Sequence, residues 1–230
     1  VEKFVTTAAA WSVPLGGGDE IVIDLTVPFA TDIGSRDQSI SGIITGLVPG
    51  APAPTIADVR FAKDKPSFRL RLAVLLAALQ LQHPDLDCSA VLIARPTNPT
   101  TKSLATYRLQ FLDTGDERLQ RAHTVLRLAV ELFEWSQRDA VPLFDWASDA
   151  IFRNLASVES KLESDLLNRY TAQLWAGTTE ADLTSDPVMP TDPEDVRKLA
   201  QVEPARSRAE AVANWVWGTI DANVKKSTKP

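Results

Sequence analysis

Apolar and polar residues alternate through residues 21–27, IVIDLTV, the period of a half-buried strand. The same reading predicts a strand over residues 4–13, joined to it as a hairpin through the turn Gly16-Gly17-Gly18-Asp19. A polar loop follows at 30–38, then strands at 40–48 and 55–62. Between these lies PGAPAP, residues 49–54, a stiff connector that neither a helix nor a central strand accommodates. Pro66 stands near a helix start, where its missing N–H does no harm. Phe68, Leu70, Leu72, Leu75, Leu76 and Leu79 make that helix apolar over much of its circumference, so it is expected to be buried on more than one side; His83-Pro84 ends it. CSAVLIA, residues 88–94, is a continuous apolar run of the kind found in strands buried on both faces, and residues 104–112 form another strand.

From residue 113 the period changes. Leu119, Ala122, Val125, Leu126, Ala129, Val130 and Phe133 recur at helical spacing, behind a Thr114-x-x-Glu117 capping box. Further helices are predicted over 144–155, 158–175 and 205–225. The acidic, proline-containing stretch 177–195 reads as a loop or linker, and the tail KKSTKP as frayed. The order predicts an α/β (α+β) fold, a mixed sheet flanked by helices with a helical C-terminal extension. The expected division is a sheet core with one long helix at 1–112, a helical part of the same domain at 113–176, an acidic linker at 177–204 and a C-terminal helix at 205–230.

Composition narrows the chemistry. With 44% hydrophobic and 23% charged residues, the 230-residue chain has the make-up of a folded soluble protein. Its longest apolar run, residues 72–79, is far shorter than the ~20 residues that span a bilayer, so no membrane partner is expected. The chain opens on Val1 with no charged-then-apolar leader, as expected of a piece of a longer protein. A single cysteine, Cys88, excludes an internal disulfide and a cysteine-built zinc site and suits a reducing cytoplasm. His83 and His123 are the only histidines. No phosphate-binding glycine loop and no nucleophile elbow occurs, and no cofactor is expected. The net charge of −6 and pI near 5.0 argue against strong autonomous DNA binding, though not against a subunit that shares DNA contacts with partners.

The stretch 39–79 nevertheless has the layout of a nuclease core: a strand, a connection, a strand ending in basic residues, then a long apolar helix. A restriction-enzyme-type nuclease needs an Asp on the first of those strands and a D/E-x-K pair on the second, converging on magnesium. Here the first strand reads Gly42-Ile43-Ile44-Thr45-Gly46, with Thr45 in place of the Asp. The second offers Asp58-Val59-Arg60, and an arginine stays protonated and cannot serve as a base. Thr45, Asp58 and Arg60 are therefore degenerate positions: no catalytic residue and no metal site is expected. The rival reading is an active metal-dependent nuclease completed by acids from elsewhere, with Glu20 and Asp24 as donors.

These residues resemble the C-terminal domain of the gamma subunit of exodeoxyribonuclease V, the RecC family, in its actinobacterial form. ISGIITGL, VRFAKDKPSFRLRLAVLLAAL, CSAVLIAR, DAVPLFDWASDAIF and AEAVANWVWGTI carry the resemblance, which extends over most of the chain. It implies a restriction-endonuclease-like (PD-(D/E)XK-type) fold without nuclease residues, in a cytoplasmic helicase–nuclease that acts in double-strand-break repair and recombination. It further implies RecB-like and RecD-like motor subunits as partners, a role in subunit docking and DNA-channel formation, and no enzyme activity of the domain on its own. A pure protein-interaction domain is the third reading.

Two clusters are candidates for contact. Arg60, Lys63, Lys65, Arg69 and Arg71 form the densest basic group in the acidic chain, either a phosphate-facing patch that binds DNA weakly or a solvated edge paired with acids. Arg69 and Arg71 flank Leu70, so at least one of them should reach solvent. Trp215 and Trp217, two apart on a helix, point in different directions, so one is a candidate for docking a partner.

Overall fold

The computed structural model describes residues 2–11, 18–31, 34–48, 51, 53–98, 100–101, 103–167, 175, 177–202 and 206–228, with the side chains of residues 2, 27–31 and 34–36 left aside. They form a mixed α/β structure with a six-stranded sheet. In chain order the elements are α1 (Glu2–Ala10), β1 (Asp19–Thr31), β2 (Gly34–Leu47), β3 (Thr55–Lys63), α2 (Pro66–Gln82), β4 (Ser89–Arg95), β5 (Ala105–Phe111), α3 (Gly115–Ser136), α4 (Trp146–Phe152), α5 (Val158–Leu166), α6 (Glu180–Ser185), α7 (Glu194–Ala200), α8 (Arg208–Asn223) and β6 (Val224–Ser227). The chain parts into two compact units, Val1–Arg127 with Ala222–Pro230, and Leu128–Asp221. The boundary between the units falls inside α3, and the last strand belongs with the sheet.

In the first unit the strands lie in sequence order, β1 to β6. All neighbours are antiparallel except β3 and β4, which run parallel, joined by α2 as the crossover such a pair requires. Helix α2 forms as its sequence predicts: Pro66 begins it, and Leu72, Ala73, Leu76, Ala77 and Leu79 are wholly buried. Its end is tied to β4 by the buried Gln80, whose amide donates to the carbonyls of His83 and Leu86 at 3.0 and 2.8 Å and accepts from the Cys88 N–H at 3.3 Å. The β4 core, Ala90 to Ala94, is buried on both faces, in keeping with its unbroken apolar run.

Four expectations are corrected. Residues 2–10 are helix rather than strand: Phe4, Ala8 and Trp11 recur at i, i+4 and i+7 and pack on Val91 and Ile93 as one helical stripe. Their would-be partner β1 instead pairs with β2 from Asp19↔Leu47 to Thr31↔Gly34, so residues 30–31 and 34–38, expected in a loop, extend a long antiparallel pair. The acidic stretch after residue 177 holds two short helices. α6 is started by a capping box in which Thr179 accepts from the Asp182 N–H and Asp182 accepts from the Thr179 N–H. The tail 224–227 is strand β6, paired with β5. The Gly16-Gly17 turn, part of the 49–54 connector, most of residues 168–176 and the last two residues lie outside the described residues.

In the second unit Phe144, Ala147, Leu162, Leu183 and Ala209 form a core, with Trp175 edge-on to Phe144 at 5.3 Å. The Asp165 carboxylate accepts from the Trp146 and Ala147 N–H groups at 2.8 and 2.9 Å, capping α4 from the next helix, α5. At the head of α8, the buried Arg208 guanidinium binds Asp192 through Nε and Nη2, reaches Asp139 at 2.8 Å and lies 5.2 Å from the Trp135 ring.

Candidate functional site

Strand β3 alternates its side chains between two environments. Ala57 and Val59 pack on the cluster built by α1, while Asp58 and Arg60 face α2. On that second face the Asp58 carboxylate is 11% exposed and both its oxygens are occupied. Arg60 Nε donates to Oδ1 at 2.6 Å, and Arg71 Nη1, from the second turn of α2, donates to Oδ2 at 2.8 Å. The Arg60 guanidinium also lies 5.4 Å from the Phe68 ring, which holds it against the helix. One carboxylate between two guanidinium groups leaves a local charge of +1, where a divalent ion would require a surplus of negative oxygen.

Thr45 does not join this group. β2 and β3 pair at Leu47↔Ile56, which sets Leu47 on the face that Ile56, Asp58 and Arg60 share. Between Leu47 and Thr45, β2 carries an extra residue: Asp19 pairs with Leu47 and Glu20 with Thr45, leaving Gly46 unmatched. Gly46 has φ +81°, and a Cβ there would come within 2.7 Å of the Ala57 carbonyl oxygen, so glycine is required both by the backbone angle and by the close approach of β3. The bulge moves Thr45 to the face of Glu20, opposite to Leu47. By the same alternation, the exposed residues Glu20, Val22 and Asp24 share one face with Thr45, Ile43 and Ser41. The acids proposed as substitute ligands therefore point away from Asp58. Among the described residues, no three His, Cys, Asp or Glu side chains gather where one ion could touch them all.

The five-residue basic cluster divides. Arg60 and Arg71 stay 38% and 50% exposed while braced by Asp58. Arg69 is 8% exposed and turned inward, and Arg71 is the neighbour of Leu70 that reaches solvent. Lys65 is the residue before α2, and the exposed Lys63 ends β3 opposite the exposed Arg95 of β4. Trp215 and Trp217 are 5% and 1% exposed, with Trp215 6.4 Å from Trp135 in the second unit. Neither offers the surface that docking would need, because α8 is buried nearly all round. Cys88 is buried with no disulfide partner, and burial pushes its thiol up to about 11, which removes it as a nucleophile.

Sequence reasoning missed a concavity of about 950 Å3, lined by Lys3, Thr7, Trp11, Asp64, Tyr107 and Lys226 among others. Tyr107 donates to Asp64 at 3.3 Å, and the Lys226 ammonium lies 3.9 Å from the Tyr107 ring. Burial holds the Asp64 carboxyl above the usual carboxylate range, against the pull of Lys226, and burial also raises the Tyr107 phenol. These residues come from α1, the end of β3, β5 and β6; with the strand β6 unread, no linear signal joins them. No helix is long and apolar enough to cross a membrane among the described residues. No family model, no curated protein and no solved structure matches the chain.

Proposed function

We propose that the chain is a nuclease-like domain that does not cut, the C-terminal part of a RecC-type subunit in a helicase–nuclease that processes DNA double-strand breaks. Its work in that reading is architectural: docking the RecB-like and RecD-like motor subunits and lending a basic surface to the DNA channel. The sheet order with its single parallel β3–α2–β4 crossover suits the restriction-endonuclease-like fold that the sequence resemblance implies. The observation that supports a domain that does not cut is Asp58: it stands at the acid position of the D-x-K pattern, but its two oxygens accept from Arg60 and Arg71. A protonated guanidinium cannot take a proton from water, so Arg60 cannot stand in for the lysine that helps position or activate the nucleophile.

The test has two arms. Linear duplex DNA incubated with the chain and magnesium or manganese should stay intact; cleavage that disappears in Asp58→Ala would overturn the reading in favour of an active nuclease. The chain should also capture RecB-like and RecD-like motor subunits, with and without DNA present. Capture unaffected by DNA, together with no salt-sensitive binding to forked DNA, would leave a protein-interaction domain instead.

A further inference from the structure

Resting on the reading just given, we infer that Asp58 has exchanged a metal ligand's role for that of a brace, holding Arg60 and Arg71 as a two-pronged clamp for one phosphodiester of a DNA backbone. A guanidinium carries five N–H donors. The bonds to Asp58 use Nε of Arg60 and Nη1 of Arg71, which leaves both terminal nitrogens of Arg60 and the Nε and Nη2 of Arg71 as further donors. Both side chains are substantially exposed while the carboxylate between them is not. The acid is therefore covered by its arginines, and the arginines face outward. A planar fork with two parallel N–H groups matches two oxygens of a phosphate, and fixing that fork beforehand reduces the entropy lost on binding. The Phe68 ring against Arg60 restricts the same side chain from a second direction.

The clamp differs from a general basic patch in the sign of one effect. If the region acted only through net charge, removing the Asp58 carboxylate would tighten DNA binding. If Asp58 is a positioning residue, removing it frees the arginines and weakens binding although a negative charge has gone. The experiment measures binding of the full chain to a forked duplex by fluorescence anisotropy over a range of salt concentrations, for wild type, Asp58→Asn, Asp58→Ala, Arg60→Lys and Arg71→Lys. Thermal unfolding of each serves as the folding control. Both Asp58 variants should bind more weakly, by roughly tenfold for loss of charge-assisted hydrogen bonds. Each lysine variant keeps its charge and should still lose severalfold in affinity, because an ammonium is not a fork. The slope of log K against log salt, measured also for Arg60→Ala/Arg71→Ala, should become shallower by about 0.9 in that variant, one phosphate contact.

Tighter binding by folded Asp58→Ala, or unchanged binding by both lysine variants, would overturn the clamp while leaving the DNA-channel reading standing. Wild-type chain that binds no forked DNA at any salt would sink both. An acidic partner peptide is the competing occupant: polyglutamate that binds wild type and responds to the lysine variants while DNA binding does not would assign the clamp to it and refute the phosphate.

Discussion

Replacing Gly46 with alanine puts a methyl group at the bulge in the pairing of β2 with β1, where β3 approaches closely. Two terms oppose the variant and one favours it. The backbone sits at φ +81°, and holding an L-residue in the left-handed region costs roughly 1–2 kcal/mol. The new Cβ would lie 2.7 Å from the Ala57 carbonyl oxygen, and since that oxygen belongs to strand backbone the relief must come from a shift of β3; a comparable overpacking costs about 1–3 kcal/mol. Against these, alanine stiffens the unfolded chain by about 0.4–1 kcal/mol. The net expectation is a loss of about 2–4 kcal/mol in the sheet unit. Urea unfolding followed by far-ultraviolet circular dichroism reads it as a lowered midpoint, with the slope showing whether the extent of unfolding is unchanged. A Gly46→Ala variant within about 0.5 kcal/mol of wild type, the usual range of a neutral surface change, would show that the bulge is not the tight contact described. The separation of Thr45 from Asp58 would then lose its footing.

Two further outcomes test other parts of the structure. Arg208→Ala leaves Asp192, whose side chain is fully enclosed, without its guanidinium, and should destabilise the helical unit by about 3–5 kcal/mol; the double variant Arg208→Met/Asp192→Leu should recover much of that in the same urea assay, since apolar replacements of a buried pair are often tolerated. Cys88, with its thiol raised to about 11, should resist a thiolate-selective reagent at pH 8 in the folded chain and react promptly in denaturant; rapid reaction under native conditions would contradict its burial.

The sequence exposes the sheet core where each element answers to a single environment. β4 reads as a doubly buried strand because it is one, and α2 is announced by Pro66 and its all-round leucines. The Asp58-x-Arg60 pattern is equally visible, since i and i+2 on a strand share a face whatever surrounds it. Its other half is not: Arg71 reaches Asp58 from 13 residues on, and only the packing of α2 against β3 makes them partners. α1 reads as a strand because Phe4, Ala8 and Trp11 are separated by small and polar residues over a span too short to settle the period. β6 is hidden because KKS has no apolar alternation; it joins the sheet through backbone hydrogen bonds to β5. Trp215 and Trp217 do point in different directions, as their spacing requires, but both directions lead inward, which a sequence offers no means of telling.

The central claim is that the surviving acid of a nuclease-like site is held by arginines and does not take a divalent ion. Isothermal titration of manganese into the full chain, with Asp58→Ala alongside, addresses it directly. No saturable heat and identical traces for the two proteins are expected; a stoichiometric binding isotherm that vanishes with the Asp58 carboxylate would contradict the claim.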